Sequence, residues 1–137
     1  MTLPRSHLAR VFYRAAYQRF GDAEFLMNQG RTTGAVYLAG YGVECILKAL
    51  ILESLAADAQ AAMVASFRGR RAHDFEWLKE RYTAGGGGVP ATVARHLARV
   101  NTWSTDMRYE AGTLKTREAR AFMDAAAEII KWADGRL

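Results

Sequence analysis

One cysteine, two prolines, three histidines and no run of β-branched residues are found in this chain, and each scarcity closes off a class of protein. A single thiol, Cys45, excludes an intrachain disulfide and a cysteine-based zinc site. Set in an apolar stretch, it reads as a small core residue. Pro4 and Pro90 both stand where a helix could begin. With strand signals nearly missing and alanine abundant, the expected fold class is all-α. His7, His73 and His96 show no HxxxH or HExxH spacing, so no metal site is expected. No P-loop or GxGxxG occurs, and no cofactor is expected. The Gly85–Gly88 tract lacks a following Lys-Ser/Thr and reads as a flexible loop. Ser104 has no neighbouring histidine and no nucleophile-elbow context. Met1–Arg19 carries charges throughout and has no apolar core of a signal peptide.

What is present fits one domain of 137 residues, half hydrophobic and 24% charged. The net charge is +5, and 15 of the 19 basic residues are arginine. Arginine binds phosphates bidentately and stacks on bases, which invites a nucleic-acid partner. A compositional bias toward arginine and alanine codons accounts for the same numbers. The apolar run Ala35–Ser54 is long enough to span a membrane, but Glu44, Lys48 and two glycines interrupt it. The expectation is a soluble cytoplasmic protein with no membrane partner.

Helical periodicity organises the rest. Leu8, Val11, Phe12, Ala15, Ala16, Phe20, Ala23 and Met27 predict an amphipathic helix over about Pro4–Gln29. Gly30 then reads as a C-cap and the following threonines as an N-cap, so the next helix returns antiparallel. That helix, about Thr33–Leu55, is apolar on all sides and should be central. Its glycines, Gly34, Gly40 and Gly42, imply close approach of another backbone. Ala57–Phe67 is weakly helical, Arg68–Arg71 a basic loop and Asp74–Tyr82 a short helix. Pro90 at a first helical position opens another through Val100. Asn101–Gly112 is irregular, and Thr116–Ala133 is a clear final helix. The expected architecture is an up-and-down four-helix-type bundle with additional short helices.

Two clusters could carry chemistry. Tyr37, Tyr41, Glu44 and Lys48 fall at spacings of four, three and four, and therefore share one helix face. An ion pair inside a buried helix costs several kcal/mol per ion unless it is partnered. Glu44 is therefore expected to pair with Arg108 or Lys48 and to accept from a tyrosine, forming a structural polar centre. The second cluster, Trp103-Ser104-Thr105-Asp106-Met107-Arg108-Tyr109, offers a carboxylate, a guanidinium and a phenol. Asp106 is expected to cap a helix or accept from Tyr37 or Tyr41. The functional alternative makes this segment an anion- or base-binding lip.

Three pieces together resemble the HEPN family of small helical bundles. They are AVYLAGYGVECILKALI, Ala72-His73-Asp74-Phe75-Glu76-Trp77-Leu78, and WSTDMRYEAG before a final helix with Phe122 and Trp132. The resemblance runs from about Ala15 to Trp132. It implies a bundle that often forms a homodimer, and often a nucleotidyltransferase-type antitoxin partner in prokaryotic toxin–antitoxin or defence systems. Many members are metal-independent ribonucleases with an Arg-x4–6-His motif late in the chain. This chain has no histidine after His96, so Arg108 lacks that partner. The one formal match, Arg68-x4-His73, lies earlier than the family's usual site. The sequence therefore favours a non-catalytic module binding RNA, a nucleotide or a partner protein, with Arg70, Arg71 and Arg108 as candidate binding residues. The alternative is a metal-independent endoribonuclease toxin using Arg68 and His73.

Overall fold

A computed structural model describes residues 3–137. The fold is all-α, with six α-helices among the described residues: α1 (His7–Asn28), α2 (Thr32–Glu53), α3 (Ala57–Ser66), α4 (Phe75–Ala84), α5 (Ala91–Val100) and α6 (Thr116–Asp134). Turns of 3₁₀ helix occupy Arg70–His73 and Thr105–Tyr109. The first begins in the expected basic loop and runs two residues beyond it, and the second lies in the segment expected to be irregular.

α1 starts later than periodicity alone implies, because its capping chemistry lies at Ser6. The Ser6 hydroxyl accepts from the Ala9 N–H at 3.2 Å, as an N-cap should. The Arg5 and Ser6 N–H groups meanwhile donate to the Glu53 carboxylate at 2.7 and 3.0 Å. This contact pins the start of α1 to the end of α2. Gly30, at φ 73°, closes α1 in the left-handed conformation.

The threonines that follow do not cap α2 as expected. Arg31 holds the cap position without a side-chain bond. Thr32 and Thr33 instead donate to the carbonyls of Leu114 and Gly112 at 2.7 and 2.8 Å. They tie the start of α2 to the chain entering α6, so α2 and α6 begin at the same end. Pro90 likewise sits one position before the first helical residue of α5, as its N-cap.

α2 is the central helix, and α1, α4 and α6 all pack on it. It is long and apolar enough to cross a membrane, yet 78% of its most apolar stretch is buried inside the fold. A Cβ at Gly42 would stand 3.3 Å from the Ala16 carbonyl oxygen of α1. That is the close backbone approach that this glycine implied. Gly40 serves a side chain instead: a Cβ there would collide with the Trp103 indole. Trp103 fills the slot and donates from Nε1 to the Tyr37 carbonyl at 3.0 Å. The segment after α5 is thereby fastened to the middle of α2. In the glycine tract, Gly87 packs against the Tyr82 ring, so part of that loop is fixed.

Cys45 lies on α2 beside the charged pair and is half-buried. Burial, followed by the Glu44 charge, pushes its thiol up to about 11. At pH 8 about a thousandth of such a thiol is thiolate. The expected result is slow iodoacetamide labelling of the native protein and rapid labelling in urea, read by mass spectrometry.

Candidate functional site

The site grows from the ion pair on α2. Lys48 lies one helical turn after Glu44, and its Nζ donates to Glu44 Oε2 at 2.7 Å. Both residues are nearly closed to solvent, at 4% exposure for Glu44 and 5% for Lys48. The ammonium also faces the rings of Phe67 and Phe12, at 5.1 and 5.8 Å from their centroids. These contacts replace part of the hydration it gives up. One carboxylate oxygen of Glu44 remains, and a buried acceptor needs a donor.

That donor is His73, whose Nδ1 lies 2.7 Å from Glu44 Oε1. A carboxylate oxygen accepts, so Nδ1 carries the hydrogen, and in the neutral imidazole Nε2 presents its lone pair. Local structure puts the imidazole there. His73 ends the 3₁₀ turn whose Ala72 is buried, and Asp74 follows as N-cap of α4, accepting from the Glu76 N–H at 2.9 Å. The His73 side chain stays 38% exposed, and its Nε2 makes no hydrogen bond within the described residues.

The exposed side of the imidazole lines a pocket of about 500 Å³ between the Arg70–His73 turn and the segment from Asn101 to Arg108. Arg70, Arg108 and Asp106 also line it, with Phe75 and Trp103 supplying apolar surface. Those two rings stack at 5.2 Å and 11°, so the two walls are held in register. Tyr41 meets Trp103 and His73 edge-on, at 5.0 and 6.2 Å between centroids. Its hydroxyl lies 3.4 Å from that of Tyr37. Burial, then the hydrogen bond to Tyr37, pushes the Tyr41 phenol up, so it remains a neutral packing group.

The structure therefore assembles the expected polar centre with altered partners. Glu44 pairs with Lys48 but not with Arg108, and its second partner is a histidine, not a tyrosine. Arg108 is exposed and lies over the Tyr109 ring at 4.8 Å, because its segment is anchored through Trp103 and Met107. The Asp106 side chain neither caps a helix nor meets Tyr37 or Tyr41. Ser104 does the capping, accepting from the Asp106 N–H at 3.1 Å.

Among the arginines, Arg70 and Arg108 reach the pocket. Arg68 is exposed and does not line it. Arg71 lies over the Trp77 ring at 5.1 Å, with Arg81 also against that ring at 5.5 Å. The link between Glu44 and His73 was not predicted. One signal pointed toward it: with Lys48 on one oxygen, the other needed a donor from elsewhere in the chain.

Among the described residues, no three His, Cys, Asp or Glu side chains gather in a way that could hold a metal ion. A family model described as HEPN domain matches residues 9–136, nearly the whole chain. No curated protein and no solved structure matches the sequence.

Proposed function

The chain belongs to the HEPN family, and from that premise we propose that it cleaves RNA through the Glu44–His73 pocket using side chains alone. The observation that carries this reading is the 2.7 Å contact of Glu44 Oε1 with His73 Nδ1, which leaves Nε2 free beside Arg70 and Arg108. In such an arrangement Nε2 takes the proton of a ribose 2′-hydroxyl, and Glu44 stabilises the imidazolium that results. The 2′-oxygen forms a bond to phosphorus as the bond from phosphorus to the 5′-oxygen breaks. The proton then passes from Nε2 to the departing 5′-oxygen, leaving a 2′,3′-cyclic phosphate and a 5′-hydroxyl. Arg70 and Arg108 supply positive charge where the phosphorane gathers negative charge. Arg70 takes the place that the sequence motif assigned to Arg68.

Cleavage of a single-stranded oligoribonucleotide in EDTA tests this proposal. His73→Ala is expected to lose at least about a hundredfold in rate, the ordinary contribution of a positioned proton-transfer group. Identical cleavage by the wild type and His73→Ala, purified in parallel, would sink it.

A non-catalytic module is the second reading, favoured by one observation: Arg68 lies outside the pocket, so the arginine–histidine motif is not assembled as a pair. On this reading the protein binds RNA or a nucleotide without turnover, and affinity falls steeply with salt as phosphate contacts release counterions. We extend the proposal to a cytoplasmic homodimer in a toxin–antitoxin or defence setting, with a nucleotidyltransferase-type partner. Exposed Phe25 and Tyr109, at 65% and 76%, are apolar side chains available to such assembly. Sedimentation equilibrium of the purified chain, alone and with a candidate partner, tests it.

A further inference from the structure

Two carboxylates that the cleavage chemistry does not use, Asp74 and Asp106, line the same cavity as Arg70 and Arg108. Asp74 is engaged as the N-cap of α4, accepting from the Glu76 N–H, which leaves the exposed Asp106. Its side chain nevertheless has neither an ion-pair nor a hydrogen-bond partner among the described residues. The short hydrogen bond at this residue involves its backbone N–H, which donates to Ser104 at 3.1 Å. A carboxylate repels phosphate, so in a cavity occupied by RNA it must face the part of the nucleotide that donates. It offers two acceptor oxygens side by side and no donor.

The four RNA bases differ in what they present to such a group. Guanine alone carries two adjacent donors, N1–H and the N2 amino group, on its Watson–Crick edge. Adenine and cytosine each place an acceptor beside their amino group, and uracil flanks its single N–H with two acceptors. Unpaired bases in single-stranded RNA expose this edge to protein side chains. The segment bearing Asp106 is also rigidly placed. Trp103 is wedged against Gly40 and bonded to the Tyr37 carbonyl, while the Ser104 cap fixes the turn that follows.

We infer that Asp106 reads a guanine base and gives the His73 pocket a preference for guanosine-containing single-stranded RNA. This inference rests on the pocket being the RNA site proposed above. Arg70, His73 and Arg108 act on the phosphate and ribose, and Asp106 accepts from the base.

The test uses short oligouridylates carrying one central guanosine, adenosine, cytidine or inosine, with 2′-fluoro groups at every position to block cleavage. Binding to the full chain is read by fluorescence anisotropy. A two-point contact with the correct base is expected to favour guanosine over adenosine and cytidine by about 5- to 150-fold. Inosine lacks the N2 amino group and should lose a large part of that preference. Asp106→Asn replaces one acceptor by a donor, so it should abolish the preference for guanosine and shift it toward adenosine. The exchanged side chain has no partner to lose, and an unchanged circular dichroism melt verifies the fold. Equal binding of all four oligonucleotides, or a guanosine preference that survives in Asp106→Asn, overturns the inference. Cleavage of the all-ribose versions separates the two claims. His73-dependent cleavage without base preference keeps the ribonuclease and removes the guanine contact. Asp106-dependent guanosine binding without cleavage keeps the contact and removes the chemistry.

Discussion

Glu44→Gln is expected to remove about 3–5 kcal/mol of folding stability, the range seen when one partner of a buried ion pair is deleted. The substitution barely changes volume, so packing contributes little. The cost arises at Lys48, a residue 5% exposed, whose ammonium would lose its one anionic partner among the described residues. The new amide also alters the site: with its oxygen accepting from Lys48, its NH₂ must donate to His73 Nδ1, which forces the imidazole into the Nε2–H tautomer. Urea denaturation measures the loss. The companion variant identifies its cause: Glu44→Gln with Lys48→Met should recover most of it, to within about 1–2 kcal/mol of the wild type. Replacing a buried pair by neutral groups is often close to neutral, and a methionine suits the space between Phe12 and Phe67. Near-additive losses in the double variant would show that the penalty is not an orphaned charge. The same substitution loosens His73, so any RNA cleavage should fall with it. Glu44 thus belongs to both the architecture and the site.

Gly40→Ala is expected to cost about 3 kcal/mol, comparable to truncating a buried tryptophan. A methyl group on α2 at this position occupies the volume that the Trp103 indole fills. The indole must leave, losing its burial, its bond to the Tyr37 carbonyl and its stacking on Phe75. Tryptophan fluorescence should shift to the red, and the denaturation midpoint should fall. Trp103→Ala introduced into Gly40→Ala should add little further loss, because both remove the same interaction. Any RNA affinity should drop as well, since Asp106 and Arg108 reach the pocket on the segment that Trp103 anchors. A Gly40→Ala protein of wild-type stability would mean that the wedge contributes nothing.

Much of the frame was readable in one dimension because helices advertise themselves by period. The apolar positions of α1 and α6 recur at helical spacing, and α2 is apolar on every side. An all-α bundle around α2 follows from that pattern and the short turn at Gly30. Capping was less legible. Thr32 and Thr33 have the right chemistry for an N-cap, yet distant carbonyls at Leu114 and Gly112 claim their hydroxyls. Side-chain partners were least legible where several candidates of equal chemistry existed. Arg108 was as reasonable a partner for Glu44 as Lys48, and a tyrosine as reasonable a donor as His73.

By itself, the sequence determined the fold class, the central position of α2, the shared face of Glu44 and Lys48, and the family. These properties rest on local spacing, which a helix converts directly into geometry. Tertiary structure alone decided that His73, 29 residues from Glu44, closes the polar centre and opens onto a pocket with Arg70, Asp106 and Arg108. It also left Arg68 outside. The physical reason is that long-range partners are selected by which surfaces pack together. Here that packing is set by the Trp103 wedge at Gly40 and by the short turn before α4, and neither leaves a periodic trace in the chain.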